Sequence, residues 1–240
     1  MQRFLGAVQF LTLLPIARST APPGEAALFF PLIGAVLGAA AGAVLQIARF
    51  AWGQSVAALI AILFLIVITG GLHEDGLADV ADAFRAGRTR EKMMMILKDS
   101  RIGCYGALAL IVSVLLRWQA LANSNANLVL GLAAALALSR TSLVVVAAIS
   151  PPAGEGLGLA FARSLSRKVA IAVSVEGIGI ALACGWRLGA AMALASLAVT
   201  FLARAYFVRR LGGVNGDCLG ATCQVVETVN LLVLAWRPSI

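Results

Sequence analysis

Charge is scarce in this chain. Only 12% of its 240 residues are Asp, Glu, Lys or Arg, about half the share in a typical soluble domain. With 61% hydrophobic residues and a mean hydropathy of +0.95, that scarcity excludes a water-soluble globule. The four cysteines (Cys104, Cys184, Cys218, Cys223) form no CxxC and no Cys/His ligand spacing, so neither a zinc site nor a disulfide framework is indicated. No polar stretch is long enough to fold alone, and no inverted repeat, linker or low-complexity segment interrupts the chain. Residues 1–240 read as a single integral membrane domain.

What is present is seven apolar runs of spanning or near-spanning length: 26–48, 55–71, 103–122, 128–149, 169–185, 188–208 and 218–236. Residues 3–16 resemble a signal peptide, but Gln9 and Thr12 interrupt a stretch too short to span, which favours a retained interfacial or re-entrant segment. Alternating the spans puts fourteen of the loop cations on one side, among them Arg3, Arg85, Lys98, Arg101, Arg167 and Arg210, and only Arg49, Arg187 and Arg237 on the other. By the positive-inside rule the N-terminus and the loop 73–101 are cytoplasmic. The expected fold is an all-α, polytopic helical bundle in the cytoplasmic (inner) membrane, with about seven transmembrane helices and an active site at the cytoplasmic face. The net charge of +8 then reports topology rather than nucleic acid.

The most informative segment is 69–84, where a span ends on two glycines and acids begin at once. On a helix, Asp75, Asp79 and Asp82 stand at i, i+4 and i+7, within an arc of roughly 60°. Like charges on one stripe repel, so the pattern favours a cation, and Mg²⁺ with its preference for carboxylate and phosphate oxygens suits it. The bland alternative is a solvated helix face with Asp75 as an N-cap. Glu74 points to a different side. His73, the only histidine, would orient phosphate or move a proton beside such a metal, although a lone histidine at an interface is more often an ordinary polar residue.

Two further clusters fall on the same side. Segment 98–106 brings Lys98, Asp99, Ser100 and Arg101 to a helix start suited to phosphate, or to simple capping by Asp99 or Ser100. Segment 212–222 is a glycine-rich turn in which Asp217, after Gly216, would complete a metal shell or act as a base, or would only shape a tight turn. Within the spans, Arg117, Arg140, Glu176 and Glu227 are functional candidates by default. Arg140 has Glu176 or Glu227 as partner, or an anionic substrate. Arg117 pairs or snorkels outward.

In this order these residues resemble the cobalamin synthase family, the adenosylcobinamide-GDP ribazoletransferases. The matching features are Gly70-Gly71-Leu72-His73 with Asp75, Gly76, Leu77, Ala78, Asp79 and Asp82; Asp99-Ser100-Arg101 with Gly103 and Gly106; 155–158; and Gly212, Gly213, Gly216, Asp217, Gly220, Ala221 and Glu227. The resemblance runs nearly end to end. It implies transfer of the cobinamide-phosphate group of adenosylcobinamide-GDP to α-ribazole or α-ribazole 5′-phosphate, with release of GMP and a requirement for Mg²⁺.

By that resemblance Asp75, Asp79 and Asp82 carry the metal, and Arg101 and Lys98 neutralise charge on the pyrophosphate. Asp217, Asp82 and His73, in that order, are candidates for taking the hydroxyl proton. His73, Asp99, Ser100, Arg140, Gly216 and Glu227 are expected at the substrate. Position 104 is Cys where the pattern has Thr, and 224 is Gln where it has Glu. The implied partners are the two substrates, the lipid bilayer and other nucleotide-loop assembly enzymes, with a homo-oligomer left open. The competing reading is a transporter using Arg140, Glu176 and Glu227, against which stands the concentration of carboxylates at one face and the lack of paired broken helices.

Overall fold

A computed structural model describes residues 1–16 and 18–236, leaving Arg237 outside. Its helices in chain order are α1 (Gln2–Leu11), α2 (Pro23–Ala26), α3 (Phe30–Thr69), α4 (Leu72–Ala86), α5 (Arg90–Ile96), α6 (Cys104–Asn123), α7 (Leu128–Ala148), α8 (Leu157–Ser164), α9 (Arg167–Cys184), α10 (Trp186–Leu211) and α11 (Gly216–Ala235). The all-helical expectation holds.

Among the described residues, five helices are long and apolar enough to cross a membrane. Two of the expected spans run together in one helical stretch, Pro23–Thr69, of 47 residues. At 1.5 Å per residue that is about 70 Å, more than twice the ~30 Å hydrocarbon core, so an unbroken rod could not fit one crossing. The break falls at Gly53, whose φ of 73° and ψ of 171° lie outside the helical region. The expected span 169–185 is α9, whose 18 residues include Arg167, Lys168 and Glu176 and so fall short on composition.

The packing explains the abundant small residues. Gly34, Gly38 and Gly42 stand four apart on α3 and face α7; a Cβ on Gly34 would lie 2.5 Å from the Leu136 carbonyl oxygen, and one on Gly42 2.6 Å from Val129 Cα. Backbones at that separation gain dispersion contact along about two turns, the means by which helices associate in lipid. Most of α7 and α11 is enclosed, while Leu63, Leu108, Leu115, Val175, Leu194 and Leu202 on the surrounding helices point outward. Such an apolar exterior suits acyl chains. Helix α1 covers ten residues, too few to span, and the segment after it is tied down by Leu13 N–H donating to the Ile68 carbonyl.

Three connections converge at one end of the bundle. The α7–α8 loop pairs with the α10–α11 turn through Ala153 N–H to the Val214 carbonyl and Val214 N–H to the Pro151 carbonyl. Arg210 Nη2 donates to the Phe84 and Gly87 carbonyls at the end of α4. These are the segments that the charge bias assigned to one side.

Candidate active site

Helix α4 sits at that end because two glycines turn the chain into it. Gly70 closes α3 and Gly71 opens α4, both left-handed at φ 67° and 68°, a region that costs glycine little. Gly76 then lets α11 approach: a Cβ there would lie 2.8 Å from the Asp217 carbonyl oxygen and 3.2 Å from its Cα. Gly76→Ala should therefore push Asp217 away from α4 and destabilise the fold by about 1–3 kcal/mol, measured as lower thermal stability in detergent together with loss of activity.

The carboxylates of α4 diverge in environment. Asp82 is buried, and its two oxygens accept from Gly103 N–H at 2.7 Å and Gly106 N–H at 2.9 Å. It thus caps α6 from a neighbouring helix, work that Asp99 and Ser100 do not perform. Asp75 is exposed and Asp79 half-buried. Burial first, then the charges of Asp75, Asp217 and Asp82, push the Asp79 carboxyl up to about 6. On α11, Asn215 accepts from Cys218 N–H at 3.0 Å as the N-cap and donates from Nδ2 to Asp217 Oδ2 at 2.7 Å, which fixes the Asp217 carboxylate.

Two cavities flank Asp75. One of about 270 Å³ is lined by His73, Glu155, Asp217, Leu143 and Leu219 among others; one of about 570 Å³ carries Asp79, Ser100, Ile102 and Thr12. Phe10, Leu72 and Asp75 belong to both and form the partition. Phe10 is held by Phe30 and Phe161, with ring centroids at 5.2 and 5.9 Å. Gly216 lies against Gly158 at the start of α8, an approach that leaves no room for a Cβ on Gly158.

His73 is 2% exposed and its Nε2 has no hydrogen-bond partner. Burial, then the Arg140 and Arg117 charges, hold its imidazole well below the ordinary value, so it stays neutral. Behind it lies a charge network. Arg117 Nη1 donates to Glu74 Oε1 at 3.0 Å and Glu227 Oε1 at 3.3 Å, and Arg140 Nη1 to Glu227 Oε2 at 2.5 Å and Ser139 Oγ at 2.8 Å. With its amide turned so that the oxygen faces Arg117, Gln224 accepts from the same guanidinium at 2.9–3.2 Å.

Arg117, at 1% exposure, does not snorkel outward. Two arginines and two glutamates balance in number, as buried charges in a bilayer must. Glu227 and Arg140 thus meet each other rather than a substrate route, which leaves the transporter reading unsupported.

The remaining predicted residues lie at the rim. Arg101 makes a two-pronged pair with Asp99 at 3.0 and 2.7 Å, and those hydrogen bonds hold Asp99 down to about 2. Lys98 is exposed. Among the described residues, no three His, Cys, Asp or Glu side chains are arranged as a metal cluster. Phe10, Glu155 and Asn215 were missing from the sequence-derived site. Asn215 had a local signal, an Asn-Gly-Asp start before an apolar run, and Glu155 opened the matching motif 155–158; Phe10 had none.

Residues 3–235 match the family described as cobalamin-5-phosphate synthase. The chain belongs to that family. This family member is 36% identical to the adenosylcobinamide-GDP ribazoletransferase of Ralstonia pickettii over 97% of this chain and 95% of that protein. It is 38% identical to that of Ralstonia nicotianae over 97% and 95%, and 34% to that of Shewanella amazonensis over 98% and 95%. No solved structure matches. Within this cobalamin-5-phosphate synthase family chain, the four motifs, spread between Gly70 and Glu227, are gathered onto α4, the α5–α6 segment, the α7–α8 loop and α11 with the turn before it.

Proposed function

We propose that this protein transfers the cobinamide-phosphate group of adenosylcobinamide-GDP to α-ribazole or its 5′-phosphate, releasing GMP. The observation that carries the reading is Asp75 in the partition between two cavities, with Asp79 lining one and Asp217 the other. A transfer between two bound molecules needs such a junction. An acceptor whose 5′ position can already bear phosphate must attack through a secondary ribose hydroxyl, and Asp217, oriented by Asn215, takes its proton.

Mg²⁺ fits the donor set: Asp75 and Asp79 are hard oxygen ligands one helical turn apart, and their mutual repulsion marks a site short of positive charge. When bound, the ion supplies charge neutralisation at the diphosphate oxygens. Asp82 holds α4 and α6 in register and so positions the other two. Arg101 and Lys98 add positive charge at the mouth of the larger cavity; the Arg101–Asp99 pair is exposed and opens at little cost.

The same reading takes seven membrane crossings, α3 contributing two and α9 one, with the site at the cytoplasmic end. The test is GMP release by purified protein in liposomes given adenosylcobinamide-GDP and α-ribazole, with and without Mg²⁺. Release with the ion, coupled to adenosylcobalamin formation and absent with chelator, is the expected result. Folded protein that releases no GMP would remove the substrate assignment.

A further inference from the structure

The transferase reading requires two reactants of unlike size and polarity to meet at one phosphorus, and the two cavities differ in the same way. The smaller, about 270 Å³, sits just below the roughly 300–1,000 Å³ usual for ligand cavities, so it suits a compact ligand. Its apolar wall includes Phe10, Leu143 and Leu219; its polar groups include His73, Glu155 and Asp217. The larger, about 570 Å³, has Thr12, Ser100, Asp79 and the Gly70–Gly71 turn around it, and its greater volume suits the larger reactant.

We propose, resting on that transferase reading, that the smaller cavity receives the acceptor nucleoside, its flat apolar base against Phe10 and its free ring nitrogen hydrogen-bonded to His73 Nε2. The donor diphosphate then enters from the larger cavity, and the two meet at Asp75.

Three observations support this. Phe10 lines the smaller cavity and is braced from one flank by Phe30 and Phe161, which also stack on each other, so it offers a rigid aromatic wall. His73 Nε2 is a buried nitrogen without a partner, and native structures seldom leave such an atom unpaired unless a ligand or water completes it. Asp217 and Glu155 line the same cavity and supply carboxylate oxygens that can accept hydrogen bonds from ribose hydroxyls. A base with a ring nitrogen thus finds a donor at His73 and apolar contact elsewhere.

The test compares two acceptors in steady state: α-ribazole and an indole riboside, in which CH replaces that ring nitrogen. A lost neutral hydrogen bond corresponds to about a tenfold drop in kcat/KM, expected for the indole acceptor with the wild-type protein. His73→Leu should raise the KM for α-ribazole about tenfold, leave the indole acceptor unchanged and leave the KM for adenosylcobinamide-GDP unchanged; His73→Gln, which keeps an N–H, should recover part. Leu143→Phe, which narrows the smaller cavity alone, should raise the acceptor KM and not the donor KM.

Equal use of both acceptors by the wild type, or a donor KM that moves while the acceptor KM does not, would overturn the assignment. The wild-type comparison stands even where a variant fails to fold. Absence of any turnover of α-ribazole by folded wild-type protein would instead overturn the transferase reading itself.

Discussion

Replacing Asp79 with asparagine is expected to lower Mg²⁺-dependent GMP release by about a thousandfold and, at the same time, to make the metal-free protein more stable at neutral pH. Asp79 is pushed up from 3.8 to about 6 by burial and by Asp75, Asp217 and Asp82. A carboxyl raised on folding favours the folded state below its unfolded value, and that contribution is lost as pH rises from 3.8 through 6. Asparagine carries no charge to be repelled, so the variant does not suffer this loss. Thermal inactivation in chelator at pH 4 and pH 7 checks it: the variant should gain on the wild type at pH 7 and match it more closely at pH 4. In the wild type, apparent Mg²⁺ affinity should weaken below about pH 6, as protons compete for the same oxygens. A variant that loses activity and stability together would show Asp79 to be structural.

Glu227→Ala should have the largest effect on stability of any single change in the charge network. It removes the carboxylate that both Arg117 and Arg140 share, and leaves a buried guanidinium without its counter-ion. Breaking a buried pair from one side costs about 3–5 kcal/mol, enough to abolish most folded protein in detergent. Glu227→Ala combined with Arg140→Met should recover a substantial part, because the unpaired charge is then removed as well. Yield of monodisperse protein by size-exclusion chromatography, and thermal inactivation of what remains, measure both. If the single variant were as stable as the wild type, the network would be dispensable to the fold.

The apolar runs were legible because a bilayer demands long uninterrupted stretches, and all seven are helical. Their division was less so. Nothing in the sequence around Gly53 distinguishes a loop from a helix broken at one residue, since tryptophan and glutamine flank it on either side. The aspartate stripe on α4 follows from helical periodicity, but which aspartates stay free depends on α6, and the spacing of 75, 79 and 82 contains no information on that neighbour. Asp82 is occupied by Gly103 and Gly106, 21 and 24 positions onward. Arg117 likewise has its partners on α4 and α11, 43 and 110 positions away. Phe10 reaches the site only through packing of α1, which no local pattern encodes; Glu155 opens the 155–158 motif, but its place in the site depends on how the α7–α8 loop packs.

The hydrogen bonds from Gly103 and Gly106 to Asp82 also have a meaning in polymer terms. They pin two points 21 residues apart and turn the chain between them into a closed ring containing α5, Lys98, Ser100 and Arg101. Closing a ring removes most of the volume its members would otherwise explore. The two cations are therefore held at high effective concentration beside the larger cavity without touching it. On the transferase reading, their distance from an incoming diphosphate would be set by a tether rather than by a fixed contact, so the ring could accommodate a bulky donor while keeping its charge close at hand.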